Sequence, residues 1–159
     1  MNYKINFDES IPDMIERLKQ EHVQFEITLN KITKYNEENN INKAIETINY
    51  MSQPIIKHAV EEEARLMRVI MHNAKEESAD SIKIMQEHNW VVDFLKQKIS
   101  TIKENMDKQQ DGQDRQDIQF QQKAQNEINE FVTNLKNHFE EEEQIVFPLA
   151  LKADKLSKL

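Results

Sequence analysis

Asn137-His138-Phe139-Glu140-Glu141-Glu142-Glu143-Gln144 places an imidazole and a carboxylate four residues apart inside an apolar stripe. In a helix, about 40° of rotation and about 6 Å of rise separate such a pair, so His138 and Glu142 project from one face of one rigid element. The same phrase recurs as His58-Ala59-Val60-Glu61-Glu62. Two helices that each offer His and then Glu one turn later match the way helical bundles hold a pair of metal ions in their cores.

Outward from these phrases, the chain reads as helix almost throughout. One Gly (Gly112) and three Pro (Pro12, Pro54, Pro148) leave little to interrupt regular structure, and Glu, Lys, Gln, Ile and Asn dominate the rest. Ser10-Ile11-Pro12-Asp13 is a helix start, with Ser10 as cap and an acid in the first turn. Ile11, Ile15, Leu18, His22, Phe25, Leu29 and Ile32 then alternate steps of four and three, a heptad seam with a histidine on it. Asn36 to Asn40 predicts a turn. Ile41, Ile45, Ile48, Ile55, Glu62, Leu66 and Val69 continue the pattern in a second helix, with His58 beside the seam and a kink or break expected near Met51 to Gln53, ahead of Pro54.

Asn73 to Asp80 predicts a polar loop. A third helix carries Met85, His88, Val92, Leu95, Ile99, Ile102 and Met106 in register. Asp107 to Asp117 predicts the longest loop. The fourth helix carries Ala124, Ile128, Phe131, Leu135, His138, Glu142, Ile145 and Leu149, is expected to bend or end at Pro148, and is followed by a Lys-rich helical tail. Tyr3, Ile5 and Phe7 predict an extended N-terminal arm along the bundle. The expectation is an all-α, antiparallel up-down-up-down four-helix bundle, a single domain over 1–159 with its core at about 10–149.

Charge and composition exclude other classes. A net charge of −8 and a pI near 5.2 leave no clustered basic face for nucleic acid. With no Cys there is no disulfide, thiolate metal site or cysteine nucleophile, so any metal falls to His and carboxylates. The N-terminus lacks the apolar core of a signal peptide and no run is long enough for a membrane span, which makes the cytoplasm the expected location.

A single His on an apolar face is more often a hydrogen-bonded core residue than a ligand. Here four of the five His fall on or beside a buried stripe, one per helix. Burying Glu62 and Glu142 without a counter-charge costs several kcal/mol each, and the seams offer no Lys or Arg for them. A cation is the simplest compensation. Glu61, Glu63, Glu140, Glu141 and Glu143 read as a solvated acidic face, with Glu61 or Glu143 as a possible extra oxygen ligand. His72 reads as a helix cap; Trp90, Tyr35 and Tyr50 read as packing residues, and Met67 and Met85 as core filler.

With His22, His58-x-x-x-Glu62, His88 and His138-Phe139-x-x-Glu142-Glu143 in hand, the chain resembles the hemerythrin-like, or HHE cation-binding, family from about Ser10 to Leu149. The resemblance implies a four-helix bundle around two non-haem irons, usually with an oxo or hydroxo bridge. It makes His22, His58, His88 and His138 terminal ligands, and Glu62 and Glu142 bridging ones. The family's oxygen carriers have a second histidine one turn after the ligand of the third helix, where this chain has Val92. Six clear ligands thus stand where the carriers have seven. Val92 leaves one iron less saturated and lines its pocket with hydrocarbon, and the sequence places no general acid there unless Glu61 or Glu143 is one, so reversible binding or sensing of O2 or NO ranks above turnover. Repair of iron–sulfur clusters with a protein partner for iron transfer, and reaction with peroxide, are its rivals.

Overall fold

The computed structural model describes residues 3–74, 76, 78–109 and 114–158. Four long helices pack as an antiparallel bundle. The first spans Ile11–Glu37. The second runs Ile41–Glu61, passes through a wide π-helical turn at Glu62–Met67 and ends as Arg68–Asn73. The third comprises Ser78–Asp93, a π turn at Phe94–Lys98 and Ile99–Gln109. The fourth comprises Asp114–Glu141, a π turn at Glu142–Val146 and Phe147–Ser157. The first and third helices each pack against the second and the fourth, and the end of the fourth returns against the end of the second.

The helix ends follow from local chemistry. Ser10 Oγ accepts from the Asp13 amide at 3.1 Å, with Pro12 in the first turn. After Glu37 the chain reverses through Asn39, whose φ of 60° is one that asparagine tolerates, and Asn40 caps the second helix. The arm runs along the second helix, as expected: Tyr3 bonds Gln53, Arg65 donates to the Asn6 and Glu9 carbonyls, and its guanidinium covers Phe7.

Several boundaries differ from the sequence reading. The second helix runs unbroken through Pro54. Pro54 and Tyr50, one turn earlier, both face outward, so water can serve the carbonyl that the missing N–H leaves free. Pro148 does not end the fourth helix, which continues to Ser157. It stands in the first turn after a π segment, where the regular ladder is already interrupted, and the Phe147 amide reaches back five residues to the Glu142 carbonyl. The polar connection is shorter than Asn73 to Asp80, because Ser78–Asp80 is already helix; Lys75 and Glu77 within it lie outside the described residues. In the expected loop from Asp107 to Asp117 both flanks are helical, and 110–113 lie outside the described residues. Tyr50 is no packing residue; it is 83% exposed.

The π turns explain where the seam shifts. Each inserts one residue, which rotates the downstream face by about 100°. Past Glu142 the buried position is therefore Val146 and not Ile145, which is exposed. Past Glu62 it is Ile70, with Val69 only half-buried. In the third helix the lower seam of Leu95, Ile99 and Ile102 is as expected, while the upper seam moves back by one to Ile84 and Val91, leaving Met85 and Val92 half-buried.

Two apolar clusters fill the interior. One includes Phe25, Ile32, Ile48, Ile55, Phe94, Phe131 and Phe139; the other includes Met14, Leu18, Leu66, Ile84, Val146 and Phe147. Between them every helix crosses a polar layer. Leu18 and Phe25 bracket His22, Ile55 and Leu66 bracket His58 and Glu62, Ile84 and Val91 bracket His88, and Leu135 and Val146 bracket His138 and Glu142.

Candidate metal centre

All six residues singled out from the sequence converge in that layer. They form two groups, His22, His58, Glu62 and Glu142, and Glu62, His88, His138 and Glu142, in each of which one ligand atom per residue lies within 4.8 Å of the others. The two carboxylates belong to both. Glu142 Oε1 lies 3.1 Å from His22 Nε2 and 3.5 Å from His138 Nε2, and Glu62 Oε1 lies 3.3 Å from both His58 Nε2 and His88 Nε2. Glu62 and Glu142 are fully buried.

The donor set fits a cation. Both oxygens of Glu62, Glu142 Oε2 and His88 Nε2 are buried without a hydrogen-bond partner; the 3.3 Å contacts lack hydrogen-bond alignment. Among the described residues neither carboxylate pairs with Lys or Arg. Such groups are costly unless a positive charge stands among them. Without an ion, protons take that role. Burial alone would push the His58 imidazole down, but Glu62, Glu142 and Glu21 around it hold it up at about 10. His88 is likewise raised well above its ordinary value against burial, by Glu142, Glu62 and Glu63. Glu62 is pushed up to about 7 by burial and by the neighbouring Glu142 charge. Glu142 is held well below the usual carboxylate range: the His138, His22 and His58 rings around it outweigh its burial.

The outer faces of the histidines carry a feature that the sequence reading missed. His58 Nδ1 lies 2.9 Å from Glu21, His88 Nδ1 3.1 Å from Glu63, and His138 Nδ1 3.2 Å from Glu87; Glu143 stands 3.4 Å from His22 Nδ1. A carboxylate hydrogen-bonded to Nδ1, as on His58, His88 and His138, fixes the ring and leaves the Nε2 lone pair for the centre, whereas His22 Nδ1 is buried without a hydrogen-bond partner. Each acid is the sequence neighbour of one of the six convergent residues and stands against the histidine of the next helix, in the cyclic order first to second, second to third, third to fourth, fourth to first. The usable signal was an acid beside one convergent residue on every helix, as in Glu21-His22, Glu62-Glu63, Glu87-His88 and Glu142-Glu143. Phe139 was also missed as a site residue. Its ring stacks on His22 at 4.3 Å and lies against Phe25 at 5.6 Å, wedging the imidazole in place.

Glu61, considered as an extra ligand, faces Arg17 at 2.5 Å, and neither it nor Glu143 joins the two groups. His72 is exposed in the last turn of the second helix. A cavity of about 10 Å³ touches the centre, lined among others by Glu62, His88, Val91, Val92 and His138.

The same chain matches the family described as Hemerythrin HHE cation binding domain over residues 13–150. The chain belongs to the hemerythrin HHE family. The match covers all six convergent residues, so cation binding is the property this hemerythrin domain shares with its family. Comparison with curated proteins and with solved structures gives no match. No helix among the described residues is long and apolar enough to cross a membrane.

Proposed function

We propose that this hemerythrin domain holds two non-haem irons and binds or senses a small neutral diatomic, O2 or NO. His22 and His58 would hold one ion, His88 and His138 the other, with Glu62 and Glu142 shared. His and carboxylate donors suit several first-row metals, so the choice of iron comes from the family and not from ligand type. When bound, the iron pair supplies reversible, redox-linked capture of the gas.

The observation that carries the reading is the cavity beside Glu62, His88 and His138. At about 10 Å³ it has room for one molecule about the size of water. Val92 forms part of its wall, in place of the extra histidine of the family's oxygen carriers, together with Ile55, Val91, Leu135 and Phe139. Hydrocarbon walls admit a neutral gas at little desolvation cost and disfavour ions. Among the described residues, its only titratable lining groups are His58, Glu62, His88 and His138, which belong to the proposed ligand set. Glu61 is engaged by Arg17 and Glu143 lies at the outer face of His22, so no separate general acid faces a bound molecule. That favours binding over turnover.

One observation favours iron supply to a protein partner as a second reading. A groove of about 210 Å³ between the third and fourth helices is lined by Glu87, Asn134, Asn137 and Glu141 and reaches His138. Stopped-flow mixing of the anaerobic, iron-loaded protein with O2, NO and peroxide in turn distinguishes the readings. A stable, reversible spectral change with O2 or NO is expected. Irreversible oxidation with catalytic loss of peroxide would overturn gas binding, and rapid iron transfer to an apo iron–sulfur protein would replace it with the supply reading.

A further inference from the structure

The acid that holds His58 is itself held. Arg17 lies one turn before Glu21 on the first helix and places Nη1 2.6 Å from Glu21 Oε2, while Glu21 Oε1 accepts from His58 Nδ1 at 2.9 Å. Arg17 Nη2 donates to Glu61 Oε2 at 2.5 Å and to Glu9 Oε1 at 3.0 Å, and Nε to Glu9 Oε2 at 3.1 Å. One planar guanidinium thus joins the arm, the first helix and the second helix, and the rigid fork fixes all three carboxylates relative to one another. The other outer acids have no such clamp. Among the described residues, Glu63, Glu87 and Glu143 each form an ion pair with their histidine and with no Lys or Arg. Glu87 leans on Glu141, which the exposed Lys83 holds at 2.8 Å, but no guanidinium fork spans it, whereas Glu21 has both oxygens engaged.

We propose that Arg17 is a positioning residue of the metal centre: acting through Glu21 it locks the His58 ring and makes the His22 and His58 half the tighter of the two ion positions, and through Glu9 it ties the N-terminal arm to that half. This rests on the two-ion reading given above. The two halves share Glu62 and Glu142 and so differ mainly in what stands behind the histidines. In one half the clamped Glu21 stands behind His58 and Glu143 only approaches His22, at 3.4 Å without a hydrogen bond; the other half is backed by Glu63 and by Glu87, which lines the open groove.

Anaerobic Co(II) titration, followed by visible absorption and calorimetry, tests the proposal without reference to any activity. The native chain is expected to take two ions with separable constants, and His22→Gln identifies the ion in the clamped half. Arg17→Gln is expected to weaken that ion about tenfold or more, the usual effect of losing an outer partner of a metal ligand, and to leave the other within about twofold. Glu21→Gln should match it. The double variant should lose no more than Glu21→Gln alone, because the two act in series. Arg17→Lys keeps the charge without the fork and should recover part of the loss. Arg17→Gln with native constants, equal weakening of both ions, or additive losses in the double variant would each overturn the proposal. Should Arg17→Gln fail to fold, Arg17→Lys against Glu21→Gln makes the same comparison, and native binding by both overturns it. A native chain that takes one ion or none would overturn the two-ion reading itself, whatever Arg17 does.

Discussion

Glu62→Gln is expected to stabilise the metal-free protein while crippling its response to metal. Burial and the Glu142 charge push the Glu62 carboxyl from 4.5 up to about 7. A group whose folded pKa lies above its unfolded value contributes stability below the unfolded pKa and loses it as pH rises through the folded one. Above pH 7 the folded chain therefore carries an ionised Glu62 at a cost, and the displacement corresponds to about 3 kcal/mol. Gln is close in shape to the protonated acid and carries no such cost. At pH 8 the chelator-treated variant should be more stable than the native chain by about 3 kcal/mol, or about 6 to 12 °C in Tm for a chain of this size. At pH 5 the gap should shrink below about 1 kcal/mol, since the folded native chain is then protonated at Glu62. Thermal melts followed by circular dichroism at the two pH values, with and without anaerobic Fe(II), read all of this. A metal-free variant that melts at or below the native chain at pH 8 would refute the claim that the fold holds this carboxylate at a cost in the absence of a cation.

The metal-free protein should also lose stability between about pH 6.5 and pH 10, because His58 is held up at about 10 and its favourable charge disappears over that window; urea midpoints that stay level across it would contradict the assignment. Fe(II) should raise the native Tm and leave Glu142→Ala unmoved, and equal melting with and without metal in the native chain would favour a purely structural bundle. Val92→His should occupy the cavity wall beside His88 and His138, slow oxidation and stabilise an oxygen adduct; stopped-flow traces identical to the native chain would refute the role given to Val92. Phe131→Ala, which removes a fully buried ring stacked on Phe94 at 4.5 Å, should cost about 3 to 5 kcal/mol in a denaturant titration and leave Co(II) stoichiometry unchanged.

Much of this was legible before the structure. Heptad spacing located four helices, and the His-x-x-x-Glu phrases with His22 and His88 named the six side chains that meet in the polar layer. The misses have physical causes. A period of 3.6 cannot register a residue inserted at a π turn, so Ile145, Val69, Met85 and Val92 were placed one position away from the buried face. Pro54 and Pro148 were read by their usual effect on an α-helical ladder; one faces water, and the other stands where a π turn has already broken the ladder. Glu63 read as a solvated acid, and Glu21 and Glu87 drew no reading, because each acts on the neighbouring helix and nothing within a single helix reports a partner across an interface.

The ring of outer acids bears on how the chain avoids misthreading. Four similar amphipathic helices joined by short connections can close in two opposite hands, and burial of the apolar seams alone distinguishes them poorly. Glu21, Glu63, Glu87 and Glu143 each sit on the flank that faces the following helix in one of those hands. In the other, every acid would meet the wrong neighbour, leaving His58, His88 and His138 without their outer hydrogen bonds and the four carboxylates turned toward hydrocarbon or solvent. The contacts that aim the histidines thus also record the direction of circulation, so that a bundle closed the wrong way round would lose its capacity for metal along with its native topology.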